Sequence, residues 1–199
     1  MCDTARSASY VVTRSGAYGL SVTLARGGGL SADYYENVWF FYTPVMTRVD
    51  AQVNFDWGEG SITPAAADYV SVRWAGLLLP RYTEQYTLYV DADDGVRLWV
   101  DNAQLVDRWE SGANMTAAKM VLKANIFYRI KLEYNNTRPR FTRVQTLTSS
   151  RYKDVSGPAK VALYWSSPSI VKEVIPASQL YVSFPRHFFP LIPAATAAT

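Results

Sequence analysis

Two residue types that carry much of enzyme and redox chemistry are almost missing: the 199-residue chain has one cysteine, Cys2, and one histidine, His187. A lone cysteine forms no internal disulfide and no cysteine-based zinc site, and without a second histidine the common nucleophile–base dyads have no material. His187, in the aromatic stretch YVSFPRHFFPLIP, reads as a surface or packing residue. Charge of one sign is lacking too, since 20 Lys and Arg stand against 17 Asp and Glu for a net +3, and the basic residues are scattered. Nucleic acid is therefore not an expected partner. No apolar run reaches the roughly 18–20 residues that span a bilayer, so no transmembrane segment is expected. The first dozen residues, MCDTARSASYVV, lack the basic-then-apolar plan of a signal peptide. The expectation is either a cytosolic product or a piece of a longer secreted chain.

What is present is apolar and aromatic: 49% of residues are hydrophobic, with 14 Tyr and 6 Trp, enough to build a core rather than a disordered chain. The length fits one sizeable domain with flanking pieces. Tyr18, Leu20, Val22 and Leu24 alternate after a Ser-Gly turn, the period of a half-buried strand. That Gly-x-Tyr-x-Leu-x-Val run resembles the closing strands of a filamin-type immunoglobulin repeat. Gly27, Gly28 and Gly29 then interrupt the pattern and mark a boundary.

Further on, YTLYV and VRLWV alternate on either side of DADDG, which reads as a β-hairpin with Tyr86, Leu88, Val90, Val96, Leu98 and Val100 facing the core and Arg97 and Trp99 outside. Tyr128, Ile130, Leu132 and Tyr134 alternate with Arg129, Lys131 and Glu133, which predicts one wet face. Repeated strands with turns between them indicate an antiparallel sandwich or barrel with few short helices. Between Tyr134 and Lys160 about 25 residues lack periodicity, and long loops of this kind tend to be functional.

Five stretches in order, GLSADYY, YVSVRWAGLLLP, YTLYVDADDGVRLWVDNAQLVDRW, YRIKLEY and VALYWSSPSIVKEVIPASQLY, resemble the PA-fourteen family, the domain named for a bacterial toxin's protective antigen. The resemblance covers residues 29–181 and implies a jelly-roll-like β-sandwich. It leaves residues 1–28 as the end of a preceding β repeat or extended N-terminal strands, and 182–199 as a Pro/aromatic exit and an Ala/Thr tail. Family members occur in toxins, adhesins and beside glycosidases, some binding carbohydrate and others serving as architecture.

In the fungal lectin branch two adjacent aspartates joined by a cis peptide bind Ca²⁺, and the ion holds sugar hydroxyls. Asp93 and Asp94 occupy the matching positions, with Gly95 completing the turn. Two neighbouring carboxylates supply hard oxygen ligands of the kind Ca²⁺ takes, but Asp-Asp-Gly also makes a plain tight turn. A further asparagine ligand in that branch has no unambiguous match; Asn135, Asn136 and Asp154 are candidates. Trp57, like Trp74, Trp99 and Trp109, offers a ring for stacking on sugar or for closing the core. Asn114-Met-Thr and Asn135-Asn-Thr are glycosylation sequons.

The function expected from all this is non-catalytic: a structural or adhesive building block of a larger extracellular or surface assembly, joined to neighbouring domains. The alternative is a calcium-dependent, lectin-like module that binds glycans through Asp93 and Asp94.

Overall fold

The computed structural model describes residues 23–110, 115–137 and 159–185, and in them the alternating pattern becomes two antiparallel sheets. One sheet holds β1 (Thr23–Gly27), β2 (Leu30–Tyr35), β3 (Met46–Asp50), β5 (Val70–Leu78), β7 (Gly95–Val100), β8 (Ala103–Arg108), β10 (Tyr128–Asn136) and β13 (Leu180–Pro185). Its spatial order is β1-β13-β5-β10-β7-β8, with β2 beside β5 and β3 beside β2. The other sheet holds β4 (Asn54–Gly58), β6 (Glu84–Asp93), β9 (Thr116–Leu122), β11 (Ala159–Ser167) and β12 (Ile170–Val174). Its order is β12-β11-β6-β9, with β4 beside β11. The one helical element among the described residues is a 3-10 turn at Ala177–Gln179.

Inward positions of both sheets interdigitate to form the core. Leu30, Val72, Leu88, Val90, Leu98, Leu132 and Val161 are fully enclosed, and each such aliphatic side chain stabilises the fold by about 1.5–3 kcal/mol. Aromatic rings continue the packing towards one end: Trp74 stacks on Phe55 at 5.9 Å, Phe55 on Trp57 at 5.0 Å, and Trp57 on Tyr134 at 5.9 Å.

A buried acid anchors this row. The Asp50 carboxylate accepts bonds from the Tyr34 hydroxyl at 2.6 Å, Trp74 Nε1 at 2.8 Å and Arg48 Nε at 2.6 Å. Burial, with the bond to Asp50, pushes the Tyr34 hydroxyl well above the usual tyrosine range.

Three sequence expectations are corrected here. YTLYV and VRLWV do not form a hairpin: β6 and β7 lie in different sheets, and the chain crosses from one to the other through Asp94. Inward-facing alternation is identical for a hairpin and for a crossover, so the sequence pattern could not separate them. The second face of β10 is not uniformly wet, because Glu133 is buried where Arg73 Nε meets it at 3.0 Å and Lys131 Nζ at 3.4 Å. Asn135 and Asn136 belong to β10 rather than to the long loop.

The triple glycine joins β1 to β2, and β1 pairs along its length with β13. The N–H groups of Gly28 and Gly29 both donate to the Leu180 carbonyl, at 3.0 and 3.2 Å. Gly29 has φ +139, and a Cβ there would lie 2.2 Å from the Asp50 carbonyl oxygen, so glycine is required for the approach. The remainder of the filamin-like stretch lies outside the described residues.

A carboxylate tip as candidate functional site

Strand register gathers several chain segments at one end of the sandwich. Asn135 stands opposite Gly95 on one side and Ser71 on the other, Ser71 is opposite Tyr35, and in the second sheet Lys160 is opposite Asp93. The β2–β3 loop, the β4–β5 loop, the Asp94 crossover and the exit from β8 therefore share one tip.

Side chains tie these segments together through main-chain groups. Asn135 Oδ1 accepts from the Gly95 N–H at 3.1 Å while its Nδ2 donates to the Trp109 carbonyl at 3.3 Å. Asn136 Nδ2 donates to the Ala67 carbonyl at 2.8 Å and reaches Asp68 Oδ1 at 3.3 Å. Ser71 Oγ donates to the Asn37 carbonyl at 2.6 Å, and Thr63 Oγ1 to Glu36 Oε1 at 2.8 Å. Such buried polar links hold loops in one arrangement, since breaking any of them strands a desolvated group.

At the centre of the tip the Asp93–Asp94 peptide is cis. Asp94 Oδ2 accepts from the Thr137 N–H at 2.9 Å and from its hydroxyl at 2.8 Å. The Asp93 carbonyl accepts from the Tyr134 hydroxyl at 2.5 Å, and Asp91, next on the same face of β6, is paired with Lys160 at 3.2 Å. Partial burial, then the hydrogen bond and repulsion from the Asp94 carboxylate, hold Asp93 above the usual carboxylate range, with Lys160 opposing. The Tyr134 hydroxyl is raised far above its ordinary value by burial and by Asp94, Asp93 and Asp68. Two carboxylates that resist joint ionisation are a site that a cation would relieve.

Among the described residues no group of three or more His, Cys, Asp or Glu converges on a point. Asp93 and Asp94 are thus a two-carboxylate platform, and further ligands to a cation would be carbonyls, water or a bound hydroxyl. Asn135 is 1% exposed with both amide atoms engaged, so it braces the tip instead of presenting a ligand, and Asn136, 6% exposed, braces it through its Nδ2. The sequon reading of Asn135 is corrected for the same reason: its nitrogen is enclosed and already donates to Trp109. Trp57 is stacked on Phe55 and Tyr134 and packs against the core. Trp99 is covered on the outer face by Lys131 Nζ, 3.7 Å from its ring centroid. Asp154 and Asn114 lie outside the described residues. Sequence reasoning missed Thr137 and Tyr134 as partners of the Asp-Asp turn, because their approach depends on β10 lying beside β7.

The match to a family model now decides the matter: residues 26–179 fit the PA14 domain. The chain belongs to the PA14 domain family. This PA14 domain is 42% identical over 159 residues to the anti-sigma-I factor RsgI3 of Acetivibrio thermocellus, covering 79% of this chain and 22% of that protein. It superposes on an anti-sigma factor domain-containing protein from Clostridium clariflavum with a TM-score of 0.64 and 36% identity, covering 83% of this chain and 50% of that one. The chain thus spans half or less of these relatives. The Epithelial Adhesin 9 A domain of Candida glabrata, solved in complex with Galb1-3GlcNAc, has a TM-score of 0.59 at 13% identity, covering 81% of this chain and 91% of that one. At that identity the likeness concerns the fold. Among the described residues no helix is long and apolar enough to cross a membrane.

The raised pKa of Asp93 has a thermodynamic sign. The folded state holds this proton more tightly than the unfolded chain, so the associated stability is present below the unfolded value, about 3.9, and is lost as pH rises through the folded value. In calcium-free buffer, thermal melts across this acidic range should show a step down with rising pH that Asp93→Asn removes. An identical profile in the variant would show that Asp93 does not titrate as its surroundings dictate.

Proposed function

We propose that this PA14 domain is a non-catalytic carbohydrate-recognition module of a larger surface or extracellular protein, in which Asp93 and Asp94 hold Ca²⁺ and the ion holds glycan hydroxyls. The observation that carries this reading is the pair of crowded carboxylates on a tip braced by Asn135, Asn136 and Thr137. The fold-level likeness to an adhesin domain solved with a disaccharide is consistent with it. Retaining glycosidases hold two carboxyl groups about 5–5.5 Å apart across the scissile bond, whereas Asp93 and Asp94 are adjacent residues that crowd each other, so the reading gives them a binding role.

The building-block role is compatible, since the chain spans 22% of one relative and 50% of another. A recognition tip and a scaffold joined to other domains are then two aspects of one module. An extracellular setting fits the affinity expected of such a sparse ligand set, about 10⁻⁴–10⁻³ M.

Calorimetric titration of Ca²⁺ into the purified chain tests the metal step, with Asp93→Asn/Asp94→Asn as the control. Binding in that range, absent from the double variant, is the expected result, followed by chelator-sensitive signals on a glycan array. Heat indistinguishable from dilution at several millimolar calcium would overturn the reading and leave Asp-Asp-Gly as a turn.

A further inference from the structure

The β2–β3 loop, residues 36–45, reads ENVWFFYTPV and is built to show aromatic rings to solvent. Trp39, Phe41 and Tyr42 are 57%, 60% and 94% exposed. The backbone that carries them is not loosely held. Asn37 Oδ1 accepts from the N–H groups of Trp39 and Phe41 at 3.1 and 2.9 Å, and its Nδ2 donates to the Phe41 carbonyl at 3.0 Å. Phe40 is the anchor, packed edge-on against Tyr35 at 5.4 Å and against Trp109 at 5.6 Å, with the Arg73 guanidinium 4.2 Å over its ring. Phe40 and Tyr42 adopt φ of 58° and 64°, a region that costs bulky non-glycine residues free energy and that persists where the surroundings impose it.

This loop stands on the same tip as Asp93 and Asp94. From Tyr35 through Ser71 and Asn135 to Gly95 is three strand spacings, about 14 Å at the usual separation. The ground between is continuous structure: Phe40 rests on Trp109, whose carbonyl is bonded to Asn135, which holds Gly95.

Resting on the carbohydrate reading above, we infer that Trp39, Phe41 and Tyr42 form an aromatic subsite for further sugar rings of a neutral polysaccharide chain, one unit of which sits at the Asp93–Asp94 calcium site. Sugar rings present apolar C–H faces that stack on exposed aromatics, and a loop backbone already held by Asn37 and by the packing of Phe40 loses little entropy on binding. Three strand spacings between the two supporting strands leave room for more than one sugar unit, so a chain rather than a monosaccharide is taken as the occupant. Phe41 and Tyr42 stand at 70° to each other, which denies a flat platform for a crystalline surface and suits a single twisting chain.

Local charge disfavours anionic partners. Arg73 is bonded to Glu133 and Arg97 to Asp107, while Glu36, Asp68, Asp93 and Asp94 share the tip. On the outer face of the second sheet Tyr89 and Tyr164 do not compete for the role, since Lys172 Nζ lies 4.6 and 4.9 Å over their ring centroids.

Affinity electrophoresis of the whole chain in gels containing soluble galactomannan, xyloglucan, galactan or β-glucan, with Ca²⁺, supplies the test. The triple variant Trp39→Ala/Phe41→Ala/Tyr42→Ala should bind the retarding polysaccharide about tenfold or more weaker while its calorimetric Ca²⁺ affinity is unchanged. The ring-retaining Trp39→Phe/Tyr42→Phe variant should stay close to wild type. Equal retardation of the triple variant and the wild type overturns the subsite while leaving calcium-dependent recognition standing. Failure of the wild type to bind any polysaccharide in Ca²⁺ overturns the parent reading and the subsite together. Loss of Ca²⁺ affinity in the triple variant, or ring-dependent binding to phosphatidylcholine vesicles in place of polysaccharide, also overturns the inference.

Discussion

Asp50→Ala will destabilise the protein by about 3–5 kcal/mol, a large part of the 5–15 kcal/mol that holds a typical domain folded. The carboxylate is 6% exposed and serves three donors at once, Tyr34, Trp74 and Arg48. Its removal leaves a buried hydroxyl and a buried indole N–H without their acceptor and frees Arg48 from its ion pair. The contrast that isolates the mechanism is Arg48→Ala. Arg48 is 42% exposed at the side chain, and its loss leaves Asp50 still bonded to Tyr34 and Trp74, so a cost of about 1 kcal/mol is expected. Urea unfolding followed by tryptophan fluorescence reads both. Equal midpoints for the two variants would show that the buried bonds do not carry the stability assigned to them.

Gly95→Ala is expected to damage the tip more than any substitution of the carboxylates would. A Cβ at this position would lie 2.2 Å from the Trp109 carbonyl oxygen and 2.7 Å from both terminal atoms of the Asn135 side chain. The Trp109 carbonyl is main chain, and the Asn135 amide, although a side-chain end, is fixed in place by its bonds to the Gly95 N–H and the Trp109 carbonyl. Relief requires β7 to separate from β10 at its first residue or the β8 exit to move away. Overpacking of this kind costs about 1–3 kcal/mol, and the displaced Asp94 should lose Thr137. Calorimetry should then show Ca²⁺ binding weakened at least as much as by Asp94→Asn, together with a lower thermal midpoint, whereas Asp94→Asn should leave the midpoint in metal-free buffer nearly unchanged. A Gly95→Ala protein with wild-type melting and wild-type calcium heat would show that the turn tolerates a side chain and is not a fixed platform.

These two positions mark the limit of what could be read from the residues. The core lists itself in the sequence: Tyr86, Leu88 and Val90 on β6 and Val96, Leu98 and Val100 on β7 are fully buried as their alternation required. Asp93, Asp94 and Gly95 were also singled out, through the resemblance of YTLYVDADDGVRLWV to a known family. The braces were not. Asn135 reads as a loop residue, a ligand or a sequon, and only the pairing of β10 between β5 and β7 turns it into a clamp.

Glu133 shows the same limit from another side. Its place in a regular alternation assigned it to water, but Arg73 on β5 and Lys131 on β10 cover it. The run VWFFY breaks the period-2 rule, and that irregularity was the one available signal that these rings do not all face a core.

The sequence by itself determined which residues are apolar, that their spacing is that of strands, and therefore a β-sandwich with a hydrophobic interior. These follow because burial is set by side-chain polarity and strand period, both local properties. Tertiary structure decided that β6 and β7 part into different sheets, that Asp50 gathers three donors, and that the aromatic loop and the carboxylate pair share one end. Strand partners are chosen by hydrogen bonds and packing between segments far apart in the chain, and an alternating pattern is equally satisfied by several partners.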